Sequence, residues 1–386
     1  MNTCLRLLVS ISLASLCFSG SALAERTPYQ AFLGKMKARG QTPISFERLS
    51  LNRKGYSINA KQIRSLGKGK KSKGPRYGQF GFGWQKDDAN SLQWFPQGIT
   101  GLRSGKGGKR AWLAITWYDN EKYAPDNIKR GARISFVDVS NMSKVRYRHV
   151  LLVEPTRGGK FVAMDTHAGG IAQRHGYLYI AGTDEVLVFD ARKIFRAESN
   201  PRKNKIGFRH KPNRVYAFDY RYIMPLVRRY KKAELGITGK TRLSFASVDY
   251  SRPNAPRLVM GNFHKPPNYD NAPMRLCRWS FLGQGRIDTR SMDCIRGGLK
   301  KSAQGGAING DLAYLATSGH KAKLWVGKRK GSSLTKLKAY DWAYGTEDLH
   351  LTKSKKRLWS LTEWPLKKGG HRIVFAVKLK KYRAKR

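Results

Sequence analysis

Acidic residues are scarce in this chain. Only 25 Asp and Glu stand against 76 Lys and Arg, a formal net charge of +51 over 386 residues. That shortage excludes a surface whose charges neutralise one another. A compact body of one sign repels itself, so the excess points to a partner of opposite sign. Solubility alone explains it poorly, because acidic surfaces give solubility more readily than basic ones. Charge does not choose among DNA, RNA, lipopolysaccharide, an acidic polysaccharide and an anionic membrane. Cysteine is also scarce, with four in the whole chain. No CxxC or HExxH occurs, which excludes the usual thiolate and zincin metal centres. Beyond the first residues no apolar run is long enough for a transmembrane helix. Helical periodicity is rare. No helix-turn-helix, RNA-recognition or zinc-finger pattern appears, which argues against base-specific reading.

Met1 to Ala24 reads as a secretory signal. Arg6 supplies the positive start, Leu7 to Phe18 the apolar run, and Ala22-Leu23-Ala24 the small residues before a cleavage site at Glu25. Leu16 is a poor neighbour for a lipidated Cys17, so a plain signal is expected over a lipoprotein signal. The expected location is secreted and extracellular, with the periplasm as the alternative. Cys4 and Cys17 leave with the signal. Cys277 and Cys294 remain and are expected to form one disulfide in an oxidising compartment, against two buried thiols as the alternative.

What is abundant is short apolar, β-branched and aromatic runs separated by Gly, Asn, Asp and Lys. That pattern predicts an all-β fold. The runs repeat. Phe95-Pro96-Gln97-Gly98-Ile99-Thr100, His167 to Ala172, Leu243 to Val248, Ala303 to Ile308 and Gly345 to His350 each lead into a strand through small residues. Second and third strands follow each time, and four of the units have a fourth: Arg146 to Val153, Arg214 to Tyr220, Arg286 to Cys294 and Leu334 to Asp341. The last unit runs out of chain after three, while Tyr77 to Gln85 is a spare strand at the front. The predicted fold is a five-bladed β-propeller closed by that N-terminal strand, with six blades if the insert between Ala191 and Lys211 hides strands. The small residues fit innermost strands crowded around an axis. Cys277 and Cys294 fall on two strands joined by Gly283-Gln284-Gly285, and a bulge between turn and pair would set them opposite each other. The predicted domains are the signal at 1–24, a basic extension and linker at 25–76, the propeller at 77–379 and a basic tail at 380–386. Within the extension, Tyr29 to Met36 reads as a short amphipathic helix.

Phe95-Pro96-Gln97-Gly98-Ile99, Arg133 to Asp138, Tyr147 to Val153, His167 to Ile171, Glu347-Asp348-Leu349 and Leu358 to Glu363 together resemble a group of secreted bacterial β-propeller proteins. The likeness runs from roughly Phe80 to Leu379. It implies the fold and export, and no defined chemistry. The Pro96-Gln97-Gly98-Ile99 string is also similar to the calcium-dependent gluconolactonase and paraoxonase propellers. That resemblance implies a central metal held by several Glu, Asn and Asp side chains, of which only part is visible here.

Three functional readings follow. The first is a polyanion binder with DNA as the leading ligand, and acidic polysaccharide or lipopolysaccharide as alternatives, in a setting such as a biofilm matrix. Its expected contacts are Lys68, Lys70, Lys71 and Lys73; Arg202, Lys203 and Lys205; Arg228, Arg229, Tyr230, Lys231 and Lys232; Lys328, Arg329 and Lys330; Lys353, Lys355, Lys356 and Arg357; and Lys380, Lys381 and Arg383. Clustered cations suffice for sequence-independent phosphate binding through counterion release. Tyr230 and Tyr382 are expected at the surface, where they can stack on bases, and Trp325 in the core. The second reading is a hydrolase or lyase at the mouth of the central channel. Gln97, His167, Gln304, Glu347 and Asp348 are expected at one end of the axis, with His167 and Glu347 for acid–base work and Glu347 with Asp348 for calcium. The third is a rigid adaptor for a protein or the anionic envelope.

Overall fold

The computed structural model describes residues 27–67, 73–198, 204–209, 214–239, 241–263, 274–297, 299, 303–354 and 356–385. The expected signal and Lys68, Lys70, Lys71, Arg202, Lys203 and Lys355 lie outside the described residues.

Strands in sequence order pair with their neighbours. Trp94–Ser104, Arg110–Asp119, Ala132–Asp138 and Arg146–Pro155 form an antiparallel meander. Along the second of these, Trp112 to Trp117 is buried without a break. A sheet covered on both faces needs apolar residues on both, which is why these strands read as continuous runs instead of alternating ones. The meander recurs in Arg242–Asp249, Arg257–Phe263, Arg275–Leu282 and Arg286–Arg296, and again in Ala303–Asn309, Leu312–Thr317, Lys323–Lys330 and Ser333–Asp341. The final unit holds Thr346–Leu351, Arg357–Thr362 and Ile373–Lys378. Gly78–Gly83, from near the other end of the chain, pairs antiparallel with the last of these, and Tyr56–Asn59 adds outside it. Sheet formed from both ends of the chain closes the ring and leaves few open edges.

The first strands of the units stand side by side around an axis, and Thr346–Leu351 packs on Trp94–Ser104 to complete the circuit. The fold is a β-propeller. The glycines of the inner strands are there because backbones touch. A Cβ on Gly98 would sit 2.7 Å from the Gly170 carbonyl carbon, and one on Gly170 would sit 2.2 Å from the Ala246 nitrogen. No side chain fits between these strands at that level.

The second unit differs from the sequence expectation. Gly170–Arg174, Tyr177–Ala181 and Glu185–Asp190 pair in order, but the fourth strand is Tyr222–Lys231, not Arg214 to Tyr220. Val215–Ala217 pairs instead with Ile206–Phe208 in a small hairpin. The reason is apolar content. Tyr222 to Leu226 is buried throughout, and the basic run that follows rides on the exposed end of the same strand. The Cys277–Cys294 disulfide forms between directly opposed residues, with a register shift between Arg278 and Ser280 supplying the offset.

The residues ahead of the ring pack onto it. Thr27 caps the helix Pro28–Lys37, and Phe32 and Met36, one turn apart, are fully buried. Phe32 meets Phe161 and Phe195 edge-on. At the other end Tyr382 is 2 % exposed, wedged against Tyr77, Tyr340 and Trp342. It is therefore a core residue and not a surface platform for bases.

Candidate functional site

All inner strands run the same way, so one face of the ring gathers their beginnings and the other gathers their ends. The beginnings form the near face. There Gln97 Nε2 donates to Glu363 Oε2 at 3.0 Å, and Gln304 Nε2 donates to Glu347 Oε1 at 3.4 Å. Glu347 and Glu363 are both buried and stand side by side. Burial pushes the Glu347 carboxyl well above the usual range, and the neighbouring Glu363 adds to the effect. Burial also raises Glu363, to about 7, against the opposing pull of the Glu347 and Gln97 side chains and the charge of Arg372. Both carboxyls hold their protons more tightly than a free glutamate because both are buried, and Glu347 Oε2 has no hydrogen-bond partner. Glu363 sits here because Thr362 is the register partner of Thr346, so the second strand ends where the first begins.

Tyr118 lies beside this pair, and burial followed by the charges of Glu363 and Glu347 holds its phenol high. The His167 ring lies tilted against Tyr118, 4.4 Å between centroids. His167 is open to water on one side while protein crowds it on the others. Loss of solvent and the Arg242 charge lower its pKa. Arg372 is buried behind the cluster, its Nε donating to the Glu363 backbone carbonyl at 2.8 Å, and burial lowers it to about 10. Tyr118, rather than His167, is thus the aromatic neighbour of the carboxyl pair. A protonated carboxyl beside one that ionises near neutrality can give and take a proton.

Asp348 does something else. Its Oδ2 accepts the backbone N–H groups of Ile99 at 3.2 Å and Ile171 at 3.0 Å, and Oδ1 accepts that of Leu349 at 2.9 Å. The carboxyl joins inner strands of three units and is fully buried. Burial raises its pKa well above the ordinary value, opposed by amides of Ile171, Leu349, Ile99 and Ala246. Glu347 and Asp348 therefore engage different partners. Among the described residues no group of three or more His, Cys, Asp and Glu side chains is arranged to hold a metal.

On the far face the ends of the inner strands surround a cavity of about 520 Å³. Its cations are Arg103, Arg174, Lys353 and Arg357, with His175 and His350, and among the described residues no Asp or Glu lines it. Phe80, Trp112, Tyr250 and Trp359 supply aromatic wall. The Arg357 guanidinium lies over Phe80 at 5.1 Å. Burial and the Arg103 charge lower His350 to about 4, so that imidazole stays neutral. A second acid-free hollow of about 470 Å³ lies between Lys338, Tyr340, Lys381, Arg383 and Lys385.

The predicted cations thus divide. Lys353, Arg357, Lys381 and Arg383 line the two acid-free hollows. Arg229 is held by Glu154 and Glu185, Lys232 by Asp184, and Lys328 by Asp311. Lys73, Lys205, Arg228, Lys231, Lys330, Lys356 and Lys380 are exposed, and Arg329 donates to the Gly331 carbonyl. Tyr230 is half-buried, and its hydroxyl accepts the Ile287 N–H at 3.0 Å, which ties two units together. Trp325 packs against the core. Sequence reading missed Arg103, Arg174 and His350 on the far face, and Tyr118, Glu363 and Arg372 on the near face. The signal was available for two of them: Arg174 ends an inner strand, and Arg103 stands one residue before the end of another.

No family model and no curated protein matches this sequence. Solved structures that align with it include the gluconolactonase XC5397 from Xanthomonas campestris, at 8% identity over 88% of this chain and 87% of that one, with a TM-score of 0.36. A putative 6-phosphogluconolactonase from Bacteroides uniformis aligns at 11% identity over 80% and 75%, with a TM-score of 0.33. The β-propeller domain of Myceliophteria thermophila Cps50 (Swd1) aligns at 9% identity over 87% and 99%, with a TM-score of 0.32. The likeness to these propellers is distant, and no chemistry follows from it.

Proposed function

We propose that this protein is an exported binder of anionic polymers, with DNA as the leading ligand, built on five blades. The four-stranded units and their single circuit of inner strands support that count. The observation that carries the function is the far-face cavity: four cations, aromatic walls and no carboxylate at the end of the axis. Unneutralised guanidinium and ammonium groups in a hollow focus the field that the net charge of +51 creates. Such groups bind phosphodiesters by releasing counterions, whatever the base sequence. The hollow beside Lys381 and Arg383 supplies further phosphate contacts, and Tyr250 offers its ring to an unpaired base. The Cys277–Cys294 disulfide suits an oxidising compartment, in keeping with a biofilm-matrix role.

The test is a titration with single-stranded and duplex DNA at two salt concentrations. Four phosphate contacts imply a loss of roughly 50- to 150-fold between about 50 and 200 mM salt. Arg103→Ala with Arg174→Ala should flatten that slope by nearly half. Affinity indifferent to salt, or unchanged in the double variant, overturns the reading.

The near face favours a second reading, a hydrolase or lyase for an acidic polymer. It rests on the two buried carboxyls of Glu347 and Glu363, both with raised pKa, beside Tyr118. Polymer shortened by the wild type but not by Glu363→Gln, with binding kept, would support it. Full cleavage by that variant would end it.

A further inference from the structure

The most heavily basic hollow away from the axis lies on the flank of the first unit. It measures about 270 Å³, and five arginines line it: Arg53, Arg130, Arg133, Arg148 and Arg221. Three of them are already neutralised. Arg53 pairs with Asp87 and Asp88, Arg130 with Asp126, and Arg133 Nη2 with Asp88 Oδ1 at 2.8 Å. Asp88 also accepts from the Tyr147 hydroxyl at 2.6 Å and meets His149 Nε2 at 3.0 Å, so its oxygens are fully used. The pocket floor is a finished, rigid network.

Arg133 is 5 % exposed, and its Nε is buried with no hydrogen-bond partner. That nitrogen is closed off from solvent, with the Trp94 and Trp117 rings against its guanidinium, so it belongs to the packed floor. Arg148 meets no carboxylate: its Nε donates to the Ser50 carbonyl at 2.6 Å, and its guanidinium lies over Tyr222. Burial lowers its pKa, and the like charges of Arg221 and Arg53 lower it further. Arg221 is exposed at the rim, where Asp219 is the one acid in the lining. Trp94 and Tyr220 complete the wall.

We propose that this pocket binds one compact oxyanion, phosphate or sulfate, either free or as the end of a monoester. Arg148 and Arg221 supply the donors, and with Asp219 counted the lining keeps one positive charge beyond its paired groups. Guanidinium forks match such oxygens in pairs, and the Ser50 carbonyl and the Tyr222 ring hold Arg148 in place before binding. The volume leaves room beside Trp94 for the group an ester carries. This pocket is separate from the far-face cavity, so it does not depend on polymer binding there.

The experiment is calorimetry of the whole chain with inorganic phosphate, inorganic sulfate, glucose 6-phosphate and glucose. One saturable site is expected for the anions and none for glucose. Tighter binding of glucose 6-phosphate than of inorganic phosphate would name an ester as the source, and the reverse a free ion. Arg148→Gln should weaken binding at least about tenfold, the cost of one strong charge-assisted contact. Arg221 is exposed, so Arg221→Ala reports on the site even should Arg148→Gln fold poorly. Arg103→Ala with Arg174→Ala should leave this binding intact while weakening DNA binding. The proposal is overturned when no anion saturates by about 10 mM. It is equally overturned when glucose binds as glucose 6-phosphate does, or when folded Arg148→Gln and Arg221→Ala both bind unchanged.

Discussion

Replacing Glu363 by Gln should make the protein more resistant to unfolding at alkaline pH, and the size of the effect can be worked out. The Glu363 carboxyl titrates at about 7 in the fold against 4.5 for an ordinary glutamate. A raised folded pKa means that the native state holds its proton more tightly than the unfolded chain. Its contribution is therefore whole below pH 4.5 and is lost as pH rises through 7. The difference corresponds to about 3 kcal/mol, at 1.36 kcal/mol per pH unit. Glutamine keeps the shape, offers Gln97 an acceptor, and cannot ionise. Three histidines complicate the wild-type curve. His149 and His350 are held near 4, and His167 is also lowered, which stabilises the fold as pH rises towards 6.5. The informative quantity is thus the difference between variant and wild type. Thermal unfolding from about pH 5 to 8 should show Glu363→Gln gaining about 4 °C on the wild type, using the usual unfolding entropy for a chain of this length. Parallel curves, or a variant that loses ground with rising pH, would refute the raised Glu363 pKa.

Other outcomes follow from the axis and the disulfide. Asp348→Asn sets an amide donor among converging N–H groups and should cost about 2–5 kcal/mol, read as a lower denaturant midpoint; an unchanged midpoint would deny Asp348 its clamping role. Gly170→Ala forces a methyl to within 2.2 Å of backbone and should cost about 3 kcal/mol or more, whereas Gly283→Ala, with nothing within 4 Å, should stay within about 0.5 kcal/mol. Equal stability of those two variants would contradict the backbone contact between inner strands. Replacing Cys277 and Cys294 together by Ser should lower stability by about 2–3 kcal/mol in chemical denaturation, the range for a loop of this size, and no loss would mean that strand pairing alone holds this hairpin.

The meander was legible because each strand pairs with its neighbour in sequence, so short range and long range carry the same message. The second unit shows where that fails. Val215–Ala217 looked like a final strand, yet the fuller apolar content of Tyr222 to Leu226 won the place. Tyr382 looked exposed because it stands in a basic tail, but its ring fills the gap between Trp342 and Tyr77. Alternation cannot show such a fit, since the partners are far apart in the chain.

By itself the sequence determined the all-β repeat, the crowding of small residues on inner strands, the cysteine pair and the sign of the surface. These follow from local spacing and composition. Only the tertiary structure decided which cations meet an acid and which carboxyls are buried side by side. Arg229 found Glu154 and Glu185, while Arg103 and Arg174 found no acid in their hollow. Gln97 and Glu363 meet across 266 residues. Pairing and loss of solvent depend on distance in space, and the closing of the ring sets that distance.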